Sequence, residues 1–496
     1  MLTALAAAPI LTPVVLLLAL RQSALRAGAA GFLVALGLVV MVPAYGLPPG
    51  ELEIALAAGG LVTWMVAYVL LGGLALYEVL RRAGALETIA AGVARLIPDP
   101  VCRSLVLVFG LSVFFESATG FGIGIVVAAP VFMALGHRPR DAALLALVGQ
   151  CAVTWGALAI GTVLADELTG VPAARLGVLA IPFSLPLMVL CGLAAAYWTG
   201  GRAAVPRAIP EILLYVVALS AILAGASHSL GVETAGMIGG LTVTVLGCLL
   251  SRVRVDARVE HELKSSTSLT NKELLWAFLP FALLLAALLA TRLFAPLSEG
   301  LASVAVLTAR GTGISMPMFY SPGFWLLATA ALSIPILGLS WRTVPGVARA
   351  VLGRWVPAAM AVAGFLFFSQ LMQASGMTAH LAGAVAETAG QAYVLALPLV
   401  GGLGGFLTAS NAGSNAMFAI FHAALGARLD LPADLVAAAQ NAAGANTTLA
   451  SPGRVVLAAA VTGLVGQEGA LMRPVLLIAI AGLLGTAAVF AIWTQA

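Results

Sequence analysis

The stretch Leu111-Ser-Val-Phe-Phe115-Glu116-Ser117-Ala-Thr119-Gly120-Phe-Gly122-Ile-Gly124 decides how the chain is read. Glu116, the hydroxyls of Ser117 and Thr119 and the glycines at 120, 122 and 124 interrupt a 101–136 run that is otherwise apolar enough for a bilayer, and a charge at such depth needs a reason. One straight helix over 101–136 would be about 54 Å long, against a hydrocarbon core of roughly 30 Å. The run is therefore expected to break at its glycine-rich centre.

Composition sets the same scene. Of 496 residues, 61% are hydrophobic and only 9% charged, with a mean hydropathy of +1.08. Soluble domains carry about 25% charge, so this chain has too few polar side chains to cover itself in water. The formal net charge of +4 is scattered and offers no basic face for nucleic acid. Cys102, Cys151, Cys191 and Cys248 lie far apart in apolar segments, and neither they nor the five histidines show metal-ligand spacing. Met1 to Leu20 lacks a basic start and reads as a first membrane helix rather than a cleaved signal.

Candidate spans run 5–20, 28–46, 53–80, then the 101–136 stretch, then 141–165, 173–198, 208–226, 232–251, 273–295, 323–340 and 356–373. A second unusual stretch at 391–426 precedes 433–450, 454–470 and 474–493. The expected fold is all-α, a polytopic transmembrane helix bundle of about 12 to 14 spans. Its membrane halves are 1–251 and 273–496, joined by a cytoplasmic loop at 252–272. Arginines recur on alternate connections: Arg21 and Arg26, Arg81 and Arg82, Arg138 and Arg140, Arg202 and Arg207, then Arg252, Arg254, Arg258, Lys264 and Lys272, then Arg342, Arg349 and Arg354. These mark the cytoplasmic side. Arg82 and Arg138 then share a face, which fits a re-entrant hairpin with its turn at Glu116 to Gly122; two complete crossings are the alternative.

The second stretch echoes the first. Phe406-Leu-Thr408-Ala-Ser410-Asn411-Ala-Gly413-Ser414-Asn415 precedes Ala424-Leu-Gly426 as the Glu116 motif precedes Ala134-Leu-Gly136, and one offset pairs Arg138 with Arg428 and Gln150 with Gln440. A hairpin at 391–426 leaves Arg428 opposite Arg138. The two units are then inverted repeats, the arrangement that places broken helices around a transporter site.

The polar groups inside these units are the solute-binding candidates: Ser117, Thr119 and Gln150 from the first, Ser410, Asn411, Ser414, Asn415, Gln440, Asn441 and Asn446 from the second. Hydroxyls, amides and helix starts suit a small carboxylate. Helix–helix glue is the plainer reading, and the preferred one for isolated Thr154 or Thr162. Arg310 and Arg454 are the candidate cationic partners for the anion, unless they only snorkel to water. Burial favours the neutral form of a carboxyl group, which makes Glu116 the candidate proton carrier; sodium at the breaks is the alternative, and His380 and His422 are possible relays. The chain has no Walker motif and no clustered catalytic set, so a carrier is expected rather than an enzyme, with no cofactor and no metal. A channel is the other membrane class. Lipid is an expected partner, and oligomeric state is not readable.

Phe114-Phe115-Glu116-Ser117-Ala118-Thr119-Gly120-Phe121-Gly122 resembles a signature of the lactate permease family, as Phe406 to Phe418 resembles its second and Leu464-Val465-Gly466-Gln467-Glu468-Gly469 a late one. The resemblance implies a bacterial inner-membrane carrier of L-lactate, or of D-lactate or glycolate, in symport with protons. Glu116 stands as the family's acid and Ser410, Asn411, Ser414 and Asn415 as its polar turn. Where members carry Gly-Lys this chain has Thr447-Thr448, and Gly453-Arg454 replaces Gln-Ser. Arg454 is the candidate substitute for the lysine; a different small anion, a sulfonate or a dicarboxylate, is the alternative substrate.

Overall fold

The computed structural model describes residues 1–120, 122–254 and 270–495. Phe121 and nearly all of the expected 252–272 loop, including Arg258 and Lys264, lie outside the described residues. Among the described residues ten helices are long and apolar enough to cross a membrane. The fold is an all-α polytopic membrane bundle, with one small two-stranded ribbon pairing Val306–Thr308 with Ser315–Pro317.

The element order repeats. A long helix, Pro49–Arg82, is followed by a short one, Ala85–Arg95, then a helical hairpin, a broken helix and the long Ala173–Gly200. The second half runs likewise: Val344–Ala374, Met377–Ala389, a hairpin, a broken helix and Glu468–Gln495. Ala204–Ser229, Val232–Arg254 and Asn271–Leu293 lie between.

The first hairpin runs up through Pro100–Val106, a wider π turn at Leu107–Leu111 and Ser112–Thr119, and returns through Ile123–Ala134. The return arm has 12 residues, about 18 Å at helical rise and shorter than a hydrocarbon core of roughly 30 Å. The second hairpin pairs Tyr393–Thr408 with Asn411–Arg428. Its turn is Ala409, left-handed at φ 56°, and Ser410, whose side chain accepts from the Gly413 amide as an N-cap.

Three expected spans take another form. The 141–165 segment, which reads as one crossing, is Pro139–Val148 and Ile160–Thr169, joined by a passage with a single 3-10 turn at Val153–Trp155. The 433–450 segment is helical over those bounds, but only as a 15-residue α-helix, Ala433–Thr447, with a 3-10 turn at Thr448–Ala450, and the chain then turns into Pro452–Thr462. The expected 454–470 crossing stops at Gly463, φ 73°, and the last helix starts at Glu468 rather than 474.

Four helices form a wall: Ala24–Met41, Pro49–Arg82, Pro322–Ile336 and Val344–Ala374. They approach closely through small residues, Gly28 on Ala361 and Gly364, Gly72 on Gly323 and Leu326. The hairpins, the broken helices, Ala173–Gly200 and Glu468–Gln495 pack together opposite it.

Candidate functional site

The site grows from three helix ends. Ser112–Thr119 stops at Gly120, φ 71° and ψ −166°, a conformation that only glycine adopts without strain. A Cβ there would also lie 2.5 Å from the Ala157 Cβ. The last carbonyls of the helix take donors from outside it: the Glu116 carbonyl, already accepting from the Gly120 amide at 2.9 Å, also accepts from the Ala157 amide at 2.8 Å, and the Ser117 carbonyl accepts from the Leu158 amide at 2.6 Å. Reaching them holds Ala157, Leu158 and Ala159 at φ 44°, 51° and 54°. Non-glycine residues there cost roughly 1–3 kcal/mol each, so strain is concentrated beside the Glu116 carboxylate.

Arg454 arrives from the other half. Ser451 caps Pro452–Thr462 by accepting from the Arg454 amide, and Pro452 opens the helix with its φ already set. The guanidinium donates through one nitrogen to Gln150 Oε1 at 2.7 Å and through the other to Glu116 Oε1 at 3.1 Å. Glu116 Oε1 also accepts from the Gly122 amide at 3.3 Å. Both ions are buried, 3% and 5% exposed. A buried pair holds only if each charge keeps a partner, and here each half contributes one. Glu116 Oε2 and Arg454 Nε make no hydrogen bond, so the pair retains unused capacity.

A cavity of about 450 Å³ opens onto this pair. On one side lie Glu116, Ala157, Ile160, Gly161, the 408–413 turn, Gly453 and Arg454; on the other, Leu70, Pro357, Ala358, Ala361, Val362 and Phe365. Arg354 stands on the second side and is exposed. The starts of Ile160–Thr169, Asn411–Arg428 and Pro452–Thr462 all border the space. Unpaired first-turn amides and positive dipole ends make such starts favourable to an anion.

Behind the cavity an amide network fixes orientations. The Thr162 hydroxyl donates to the Thr154 carbonyl at 2.7 Å, so it accepts from Asn441 Nδ2 at 2.9 Å. Asn441 Oδ1 then faces, and accepts from, Asn411 Nδ2 at 2.8 Å and Asn415 Nδ2 at 2.9 Å. Asn415 Nδ2 also donates to the Gly161 carbonyl in the first half. Gln440 donates to Ser414 Oγ at 3.1 Å while its Oε1 lies 2.7 Å from His422 Nδ1, and His422 Nε2 meets the Tyr393 hydroxyl.

Of the residues singled out by sequence, Glu116, Arg454, Ser410 and Asn411 line the cavity. Gln150 and Asn441 stand behind them as hydrogen-bond partners of Arg454 and Asn411, and Asn415 donates in turn to Asn441. Ser414 bonds the Gly401 carbonyl and Gln440. Ser117 and Thr119 are spent on the Trp155 and Phe115 carbonyls, and Asn446 on the Phe183 carbonyl; none of the three lines the cavity. Arg310 departs most from expectation: it is exposed, on the loop of the Val306–Pro317 ribbon, away from the cavity. His380 meets Tyr45 and Thr3, also elsewhere. The strained Ala157–Ala159 passage was not legible, since Ala and Leu favour helix locally; Gly156 and Gly161 on either side are the only signal. Thr162, which reads as glue, is the anchor that orients Asn441.

The L-lactate permease family model matches residues 3–495 of the chain. An L-lactate permease of Escherichia coli (strain K12) is 27% identical over 497 residues, covering 90% of this chain and 87% of that protein. The glycolate permease GlcA of the same strain is 26% identical over 491 residues, covering 88% and 86%. Among solved structures, the YdaH transporter of Alcanivorax borkumensis gives a TM-score of 0.46 at 16% identity, covering 88% of this chain and 86% of its own, a likeness too loose to argue from.

Proposed function

Because the chain belongs to the lactate permease family, transporters rather than enzymes, we propose that it carries a small monocarboxylate across a bacterial inner membrane together with a proton. The observation that carries this reading is the Glu116–Arg454 pair at the cavity, among three helix starts. Arg454 is the one buried cation among the cavity-lining residues, and its nearest anion is a protonatable one. A substrate carboxylate competes with Glu116 for Arg454; a proton on Glu116 releases the guanidinium and neutralises the displaced acid. Proton and anion therefore bind cooperatively, as symport requires.

L-lactate is the substrate the reading favours, with D-lactate or glycolate as relatives of the same size. A dicarboxylate would need a second buried cation, whereas Arg354 stands at the exposed end; a sulfonate is the remaining alternative. The repeated element order and the alternation of loop arginines support two inverted units. In a cysteine-free background, R138C and R428C are expected to label from opposite faces of intact cells, and labelling from one face would end the inverted reading.

The deciding experiment is counterflow in proteoliposomes with labelled L-lactate, glycolate, a dicarboxylate and a sulfonate. L-lactate exchange, with uptake driven by an inward proton gradient, is the expected result. Exchange of only the sulfonate or dicarboxylate, or accumulation that follows sodium and ignores protons, would refute the proposal.

A further inference from the structure

Glu116 has two carboxylate oxygens, and they stand in different surroundings. Oε1 accepts from Arg454 and from the Gly122 amide. Oε2, the oxygen left for a proton, is buried and has no hydrogen-bond partner among the described residues, although the side chain borders the cavity. Once a solute sits on Arg454 the cavity side is filled. A proton that binds or leaves with the solute in place needs another way to Oε2.

Two more buried polar atoms without a partner lie behind the ion pair, Gln150 Nε2 and Ser112 Oγ. Both residues are 1% exposed, and neither borders the cavity. Gln150 gives its Oε1 to Arg454, which leaves Nε2 to face Gly124 and Ser112. Glycines make room for the two groups: a Cβ on Gly124 would lie 2.6 Å from Gln150 Nε2 and 3.1 Å from the Ser112 carbonyl oxygen, and one on Gly149 would lie 2.7 Å from Ser112 Oγ. Ser112 and Glu116 are one turn apart on the same face of Ser112–Thr119. A hydroxyl both donates and accepts, an amide nitrogen donates, and a carboxyl oxygen accepts when ionised and donates when protonated. These are the complementary partners that a bridging water needs.

The row of polar groups continues down the arm. Ser112 also borders a space of about 10 Å³ between Leu107, Leu111 and Phe115 of the outgoing arm, Ala128 of the return arm and Ala90, room for about one water. That space adjoins the π turn at Leu107–Leu111, a widening found frequently at functional sites. Ser104, three residues before Leu107 and so on the same face, carries a further buried hydroxyl without a partner. The arm begins at exposed Asp99.

From this arrangement we infer that protons reach and leave Glu116 through the interior of the first hairpin, by waters bound at Ser112, at Gln150 and beside the π turn, while the solute uses the cavity. The inference rests on Glu116 being the proton carrier of the proposed symport. Release runs as a relay. The Glu116 carboxyl gives its proton to the water at Ser112, which passes one on through the Ser112 hydroxyl to the water beside the π turn, and the last water, past Ser104, gives one to bulk at Asp99. Each bridging group takes one proton and gives one, so only Glu116 changes charge. By the loop arginines, the Asp99 end of the arm and the Arg354 end of the cavity both face the cytoplasm. Proton and solute leave to the same compartment by separate routes, and neither traps the other.

S112A removes the relaying hydroxyl, and A128V fills the space beside the π turn; neither side chain borders the cavity. In proteoliposomes each is expected to slow proton-driven L-lactate uptake and its accompanying proton flux at least about tenfold, while L-lactate counterflow, which needs no proton release, falls less than about twofold. Uptake by the variants should slow further in heavy water and counterflow should not. A merely structural role would lower uptake and counterflow together. Wild-type uptake in either variant, or parallel loss of uptake and counterflow, would overturn the inference.

A second measurement needs no folded variant of the route. The infrared band of the protonated Glu116 carboxyl, identified by its loss in E116Q, shifts as deuterium replaces the proton. In the wild-type protein that exchange should be as fast with saturating L-lactate as without it, because the route bypasses the cavity; exchange blocked by bound L-lactate would overturn the inference. E116Q separates the two levels of the proposal. A fixed proton-to-anion ratio in E116Q would refute Glu116 as the carrier, whereas lost coupling in E116Q with wild-type uptake in S112A and A128V would refute the route alone.

Discussion

In E116Q the amide oxygen replaces the carboxylate oxygen that now accepts from Arg454 at 3.1 Å and from the Gly122 amide at 3.3 Å. Both bonds can persist, so the hairpin is expected to fold. What disappears is the negative charge with which an incoming anion must compete. A charge-assisted hydrogen bond contributes roughly 1.5–3 kcal/mol, about a 10- to 150-fold change in affinity. The variant should therefore bind L-lactate tighter than wild type by about that factor at alkaline pH, where the wild-type carboxylate is ionised, and about equally at acidic pH. In wild type, anion binding should strengthen as pH falls, because the proton removes the competitor; in E116Q that slope should vanish. Binding by calorimetry at two pH values, paired with proton and labelled-anion flux in the same vesicles, reads both effects. Accumulation driven by a proton gradient should be lost while counterflow continues. A fixed proton-to-anion ratio in E116Q, or binding that weakens and still follows pH, would refute the competition and move coupling to another group, with His422 the next to examine.

R454Q leaves Glu116 buried and unpaired, a loss of about 3–5 kcal/mol; reduced thermal stability and an apparent KM raised at least tenfold are expected, measured by melting and uptake, with R454K recovering charge but not the fork that reaches Gln150 and Glu116 together. N441A removes the acceptor shared by Asn411 and Asn415 and the donor to Thr162; a stability loss of about 1–3 kcal/mol with slower turnover should appear in melting and counterflow, and an unchanged variant would reduce the network to filler. R354Q removes the exposed guanidinium beside Tyr77; exchange from the Arg354 side should lose its dependence on ionic strength while binding to purified protein stays the same.

How much of this was legible depended on whether the cause was local. Glu116 was visible because a charge in an apolar run is anomalous wherever it lies, and Ser410 because a small-residue turn with an N-cap carries its own signal. The break in 101–136 followed from length against bilayer thickness, its hairpin from the shared face of Arg82 and Arg138, and the hairpin at 391–426 from the echo of the first motif. The break at Ala157–Ala159 was hidden since its partners, the carbonyls of Glu116 and Ser117 that accept from the Ala157 and Leu158 amides, belong to a different helix. Arg310 and Arg454 looked equivalent in sequence, each a lone arginine next to glycine; only tertiary placement separates an exposed ribbon loop from a buried ion pair. Thr119 and Ser117 illustrate the reverse, hydroxyls that a motif marks as functional and that the backbone consumes.

The net charge of the Glu116–Arg454 site decides which loaded states can cross an apolar barrier. Empty, it carries Glu116 and Arg454 as a neutral pair. With a monoanion alone it carries one uncompensated negative charge, and with a proton alone on Glu116 it carries Arg454 unpaired; either charge would face Leu70, Pro357 and Ala361 without a partner. With anion and proton together it is neutral again. The two neutral states are the empty and the doubly loaded, so coupling of one proton to one anion follows from electrostatics without any separate gate. The expected measurement is that a potassium diffusion potential of either sign leaves the rate of L-lactate uptake unchanged at fixed pH, while a proton gradient of the same free energy drives accumulation. Uptake that accelerates with an inside-negative potential would show a charged loaded state, and would require either a second proton or a cation in the site.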